Sequence, residues 1–133
     1  MRRVIVFWDY TNFHATLRSL SGGTFPGAAQ FDFIKFVEQL SKESELVKIY
    51  FACSSSRDAE SVQGFFEYLD WQPHFYVKQF ETRRRDGNDG VEKQVDVYIA
   101  SQMVALAYEN AYDHAILISG DEDYVPALEI VHQ

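Results

Sequence analysis

His114-Ala115-Ile116-Leu117-Ile118-Ser119-Gly120-Asp121-Glu122-Asp123-Tyr124 decides the fold, because a short apolar run leads directly into the acids Asp121 and Asp123. An apolar run of this length, bounded by polar residues, suits a strand of a parallel sheet covered on both faces. Val4-Ile5-Val6-Phe7-Trp8 repeats the pattern and ends on Asp9, with Asn12 three residues on. In open parallel sheets, ligands bind beyond the carboxyl ends of the strands. The acids at these two strand ends therefore share a destination.

Working outward from these runs, strands are expected at 3–9, 46–52, 74–80 and 114–118, and helices at 13–20, 31–43, 58–70, 97–110 and 124–132. Phe33, Phe36, Val37 and Leu40 recur at helical spacing, and Val62, Phe65, Phe66 and Leu69 do the same before Pro73. Strands alternating with helices predict parallel βαβ units. Residues 21–27 read as a loop from their glycine and proline content, and residues 83–90 as a second, polar loop.

A chain of 133 residues fits one domain, and 47% hydrophobic with 16% aromatic residues fits a packed core. Cys53 is the single cysteine. It excludes an intrachain disulfide and a thiolate-built zinc site, and a reducing cytoplasm is the simplest setting. No apolar stretch approaches the length needed to cross a bilayer, so no membrane partner is expected. The net charge of −8 opposes non-specific binding to nucleic acid, yet a local basic patch can still hold phosphate.

Asp9, Asp96, Asp121 and Asp123 come from three separated segments, each read as a strand end or a helix start. Carboxylates brought close together stay ionised only when a cation or several donors balance them. Hard oxygen ligands of this kind suit Mg²⁺ or Mn²⁺, which can activate water and neutralise charge on a phosphodiester. Each acid also has a plain structural reading. Asp121 or Asp123 can cap the helix near Tyr124, Asp96 can cap helix 97–110, and Asp9 can close an Asx-turn. Capping and metal binding are compatible.

Arg83, Arg84 and Arg85, with Lys93 and Lys78, read either as phosphate contacts or as a solvated charge run. Tyr10 is placed to stack on a base if it faces the crevice, whereas Trp8 reads as core. The four histidines show no metal-ligand spacing. No glycine-rich phosphate loop and no nucleophile-elbow serine is present.

Val4 to Phe13, Lys93-Gln94-Val95-Asp96-Val97, and Ala115 to Pro126 together resemble the NYN domain of LabA-like proteins in order and spacing. The resemblance implies a PIN-like/Rossmann-like α/β fold, a three-layer sandwich with a mainly parallel central sheet. It also implies a Mg²⁺- or Mn²⁺-dependent ribonuclease acting on RNA, expected to be single-stranded. Asp9, Asp96, Asp121 and Asp123 match the family's acids by position, and Asn12 and Ser119 match its polar supports. Gln102 stands where many relatives carry a further aspartate, and relatives continue past the position of Gln133 into a final strand and helix. A single, C-terminally shortened domain over 1–133 is the expectation. The alternative is a PIN-like module that binds RNA or a protein partner without cutting it. Exposed aromatics on helix 58–70 or at Phe75-Tyr76 would support a homodimer.

Overall fold

A computed structural model describes residues 1–20, 32–55, 60–81, 87–120 and 122–132. Four strands alternate with helices: β1 (Arg3–Asp9), β2 (Glu45–Ser55), β3 (Phe75–Glu81) and β4 (His114–Ile118). The helices are α1 (Tyr10–Leu20), α2 (Phe33–Leu40), α3 (Glu60–Asp70), α4 (Gly87–Tyr108) and α5 (Val125–His132), the last preceded by one 3-10 turn, Glu122–Tyr124. The strands form one parallel sheet in the order β3-β2-β1-β4. Helices cover both faces, which gives the three-layer α/β sandwich.

Each face follows from period-two alternation along β1. Val4, Val6 and Trp8 turn to one side, where they pack with Phe33, Val37, Phe51, Phe66 and Leu69. Trp8 is fully buried there, ringed by Phe13, Phe33, Phe36 and Phe51 at centroid distances of 5.2–5.4 Å. Ile5 and Phe7 turn to the other side and meet Val95, Ile99 and Met103, an i, i+4, i+8 stripe on α4. The same alternation puts Asp9 on the α4 side.

The order of the strands reverses between β1 and β4. The chain steps from β1 to β2 to β3 in one direction, and α4 then carries it back across to β4 on the other flank of β1. Such a reversal leaves a crevice at the carboxyl ends of the two central strands. The last residue of β1 is Asp9, and β4 ends just before Ser119 and Gly120.

Two helix starts differ from the sequence expectation. α1 begins at Tyr10, directly after β1, because the Asp9 carboxylate accepts the Asn12 N–H at 3.1 Å and so caps the helix. α4 begins at Gly87 rather than near 97, so residues 87–90 are helical and not loop. Gly, Asn and Asp serve the first turn of a helix as readily as a loop, which makes the two hard to separate by residue type. A consequence is that Asp96 lies inside α4 and does not cap it. The far end of α4 closes as a left-handed cap, with Asn110 at φ 57° and the Ala111 N–H reaching the Leu106 carbonyl at 2.9 Å.

Candidate functional site

Asp9 is 2% exposed, and its two oxygens face different donors. Oδ1 takes the Asn12 backbone N–H, and Oδ2 takes the Tyr124 hydroxyl at 3.1 Å. The same hydroxyl lies 3.2 Å from Asp96 Oδ1. Asp96 is half-buried, one residue along α4 from the buried Val95, which aims it across the helix flank towards the end of β1. Two carboxylates distant in sequence, one ending β1 and one inside α4, thus meet at one phenol. A phenol carries one proton, so it can satisfy only one of them at a time.

Tyr124 is 1% exposed. Burial pushes its pKa far above the ordinary tyrosine value, and the charges of Asp9 and Asp96, with the bonds it makes to them, push further in the same direction. The group is therefore a neutral donor throughout the range in which proteins work. Sequence reasoning passed over it, since an aromatic at the start of an apolar helix reads as core. The available signal was its hydroxyl, which a buried tyrosine must satisfy.

Asn12 joins a second pair of elements. Its Oδ1 accepts the Gly120 N–H at 2.8 Å, tying the first turn of α1 to the residues after β4. A Cβ on Gly120 would stand 3.7 Å from that oxygen, an ordinary contact, so crowding does not require glycine there. Thr11 makes a parallel link that the sequence did not suggest: its Oγ1 accepts the Ser54 N–H at 3.0 Å, holding the end of β2 against α1. The rim of the crevice is in this way fastened by short polar side chains.

The other expected residues fall in several places. Ser119 is half-buried at the end of β4, and Asp123 is exposed on the 3-10 turn. Lys93 is exposed on α4, one turn before Asp96. Asp121, Arg83, Arg84 and Arg85 lie outside the described residues. Among the described residues no three Asp, Glu, His or Cys side chains gather closely enough to hold a metal ion, so Asp9 and Asp96 meet as a pair. Gln102 is six residues beyond Asp96, about 9 Å along the helix axis and on the other flank of the buried stripe.

Tyr10 is a correction. Its ring is 9% exposed and packs against Phe13, Phe33, Phe51, Phe65 and Phe66, on the face of the sheet opposite Asp9. Burial, with a smaller contribution from Cys53, raises its pKa to about 12. A ring enclosed in this way serves the core rather than a nucleic-acid base. Its position explains the difference: as the first residue of α1 it turns back under the helix instead of continuing the strand.

A pair of carboxylates thus stands at the reversal point of a parallel sheet, fixed from three elements. The NYN domain family model matches residues 3–133. The chain belongs to the NYN domain family. NYN domains are PIN-like nucleases that act on RNA and generally use divalent metals. No curated protein and no solved structure matches the chain. Among the described residues, no helix of this NYN domain is long and apolar enough to cross a membrane.

Proposed function

We propose that this NYN domain is a divalent-metal-dependent ribonuclease that hydrolyses phosphodiester bonds of single-stranded RNA. The observation that supports this best is the meeting of Asp9 and Asp96 at Tyr124, beside the residues that follow β4. In this reading Asp9 and Asp96 supply two carboxylates to a Mg²⁺ or Mn²⁺ site, and Asp121 and Asp123 supply the remainder. The donor set fits, since hard cations take carboxylate oxygens. A bound ion of this class lowers the pKa of a coordinated water and neutralises charge developing on the phosphodiester.

The chain's own residues do the holding. Tyr124 keeps the two acids apart and oriented, and Asn12 fixes the turn that leads from β4 towards Asp123. Ser119, Lys93 and the arginines Arg83, Arg84 and Arg85 bind the phosphates of the substrate in this account, Arg through its two-pronged guanidinium. The LabA-like assignment rests on the spacing of the three sequence segments. A reducing cytoplasm agrees with Cys53, a buried thiol whose pKa burial pushes up to about 12 and which is therefore poorly reactive. A homodimer would use Tyr68 and Trp71, which are 55% and 87% exposed, and sedimentation at micromolar concentration decides it.

The test is cleavage of a labelled single-stranded RNA in Mn²⁺ and in EDTA. Wild type is expected to cut in Mn²⁺ alone, and Asp9→Asn and Asp96→Asn to lose about 100- to 1,000-fold in rate, in line with removal of a group that stabilises transition-state charge. Undiminished cleavage by either variant would sink the assignment. One observation favours the non-cutting module instead: a neutral phenol already lies within hydrogen-bond distance of both acids and donates to one of them. RNA binding without cleavage in any divalent ion would select that reading.

A further inference from the structure

The face of the sheet that carries Asp9 also carries a group of side chains that the acid pair does not use. Along β3, at one edge of the sheet, Tyr76, Lys78 and Phe80 turn to this face, while Phe75 and Val77 pack on the other. At about 3.3 Å per residue the three cover roughly 13 Å of strand. Lys48 and Tyr50 stand beside them on β2, where Tyr50 is paired in register with Tyr76.

These residues interleave charge and ring. Lys48 Nζ lies 5.1 Å from the Tyr50 centroid and 4.9 Å from that of Tyr76, and Lys78 Nζ lies 5.7 Å from the Phe80 centroid. All three distances are within cation–π range. Tyr98, from α4, meets Phe80 edge-on at 5.7 Å. Tyr76 is 43% exposed and Lys78 is exposed, so the strip is open at the edge of the sheet. In a chain of net charge −8, two ammonium groups on one aromatic surface make a local positive patch.

Register relates this strip to the acids. Asp9 pairs with Ala52, and Ala52 pairs with Lys78, so Lys78 stands in the same row as Asp9 two strands away, about 10 Å across the sheet. Asp96 and Tyr98, two residues apart on α4, project from opposite flanks of that helix. α4 therefore stands between the strip and the acid pair.

We propose that Tyr76, Lys78 and Phe80, with Lys48, Tyr50 and Tyr98, form a binding strip for single-stranded RNA that feeds the acid pair. The exposed Tyr76 ring takes a base, the part-buried rings of Tyr50, Phe80 and Tyr98 back it, and the two ammonium groups take phosphates, the combination by which single strands are held without sequence preference. The inference rests on the reading of this domain as one that acts on RNA. It adds a surface outside the acid site.

Fluorescence anisotropy with a single-stranded RNA of about twelve nucleotides, in EDTA so that nothing is cut, tests it. Tyr76→Ala is expected to bind about tenfold more weakly, the loss of one stacked base. The double variant Lys48→Gln/Lys78→Gln should flatten the dependence of log affinity on log salt by about 0.7 per lysine, while Lys42→Gln on the far side of the fold changes neither. Lys78→Glu, at an exposed position, serves in place of Tyr76→Ala if that variant does not fold. Variants that bind as tightly as wild type with the same salt slope overturn the strip and leave Lys78 as a guard of the edge strand β3. Wild type that binds no RNA overturns the RNA reading itself, and with it the strip.

Discussion

The two ends of β1 are built on opposite electrostatic plans. At its amino end Arg3 meets Asp113: the guanidinium Nη2 lies 3.1 Å from one carboxylate oxygen, and the Arg3 backbone N–H reaches the other at 2.8 Å. At its carboxyl end Asp9 meets Asp96, an acid against an acid, with a buried phenol between them. The first arrangement lowers the Asp113 pKa, chiefly through the Arg3 hydrogen bonds, and holds β4 against β1 at the surface. The second places like charges where the sheet opens. The first arrangement needs no explanation beyond holding the fold together, whereas the second coincides with the site proposed for the metal ion.

Asp9→Asn should break the comparison with the largest effect, because Asn still caps α1 through its amide oxygen but brings no charge. The RNA-cleavage assay should show a loss of about 100- to 1,000-fold while the thermal midpoint stays near that of wild type. Tyr124→Phe comes next. Removing the one O–H that the two acids share should destabilise the metal-free protein by roughly 1–3 kcal/mol in urea unfolding, the usual cost of leaving a buried polar group without a donor. Millimolar Mn²⁺ should restore part of that loss if the ion balances the same carboxylates, since binding to the folded state alone raises stability. A Tyr124→Phe variant as stable as wild type without metal would show that the phenol does not hold the pair.

Asp113→Asn should have the smallest effect, because the pair it breaks is exposed. Its sign is fixed. A carboxylate held below its ordinary pKa contributes stability at and above that ordinary value and loses it as pH falls through the lowered one. The difference in thermal midpoint between wild type and variant should therefore shrink on acidification, and shrink again in high salt. A difference that grows in acid would contradict the assignment of Arg3 as the cause.

The sheet was legible in the sequence because its central strands are continuous apolar runs. Residues 3–9 and 114–118 coincide with β1 and β4, and 46–52 and 74–80 fall on β2 and β3 within a few residues. What the sequence obscured lies at the junctions. Asp9 ends a strand and caps the next helix in one residue, so α1 starts where a turn was expected. Residues 87–90 carry loop chemistry into a helical first turn, which moved Asp96 from a helix cap to a position inside α4.

The candidate site was legible as a set of acids, of which the structure brings Asp9 and Asp96 together, but not as a geometry. Asp9, Asn12 and Asp96 drew attention because carboxylates and amides are conspicuous beside apolar runs. Tyr124 and Thr11 did not, because a phenol and a hydroxyl next to buried residues look like packing until their partners are known. Tyr10 erred in the other direction, since helix rotation rather than residue type decides which way the first residue after a strand turns.

The most direct measurement of the central claim is the anomalous scattering of a crystal soaked in Mn²⁺. The account predicts a peak at ordinary metal–oxygen distance, about 2.0–2.4 Å, from one oxygen each of Asp9 and Asp96, with the Tyr124 ring unmoved. A well-ordered site with both carboxylates in place and no Mn²⁺ on either of them would contradict it.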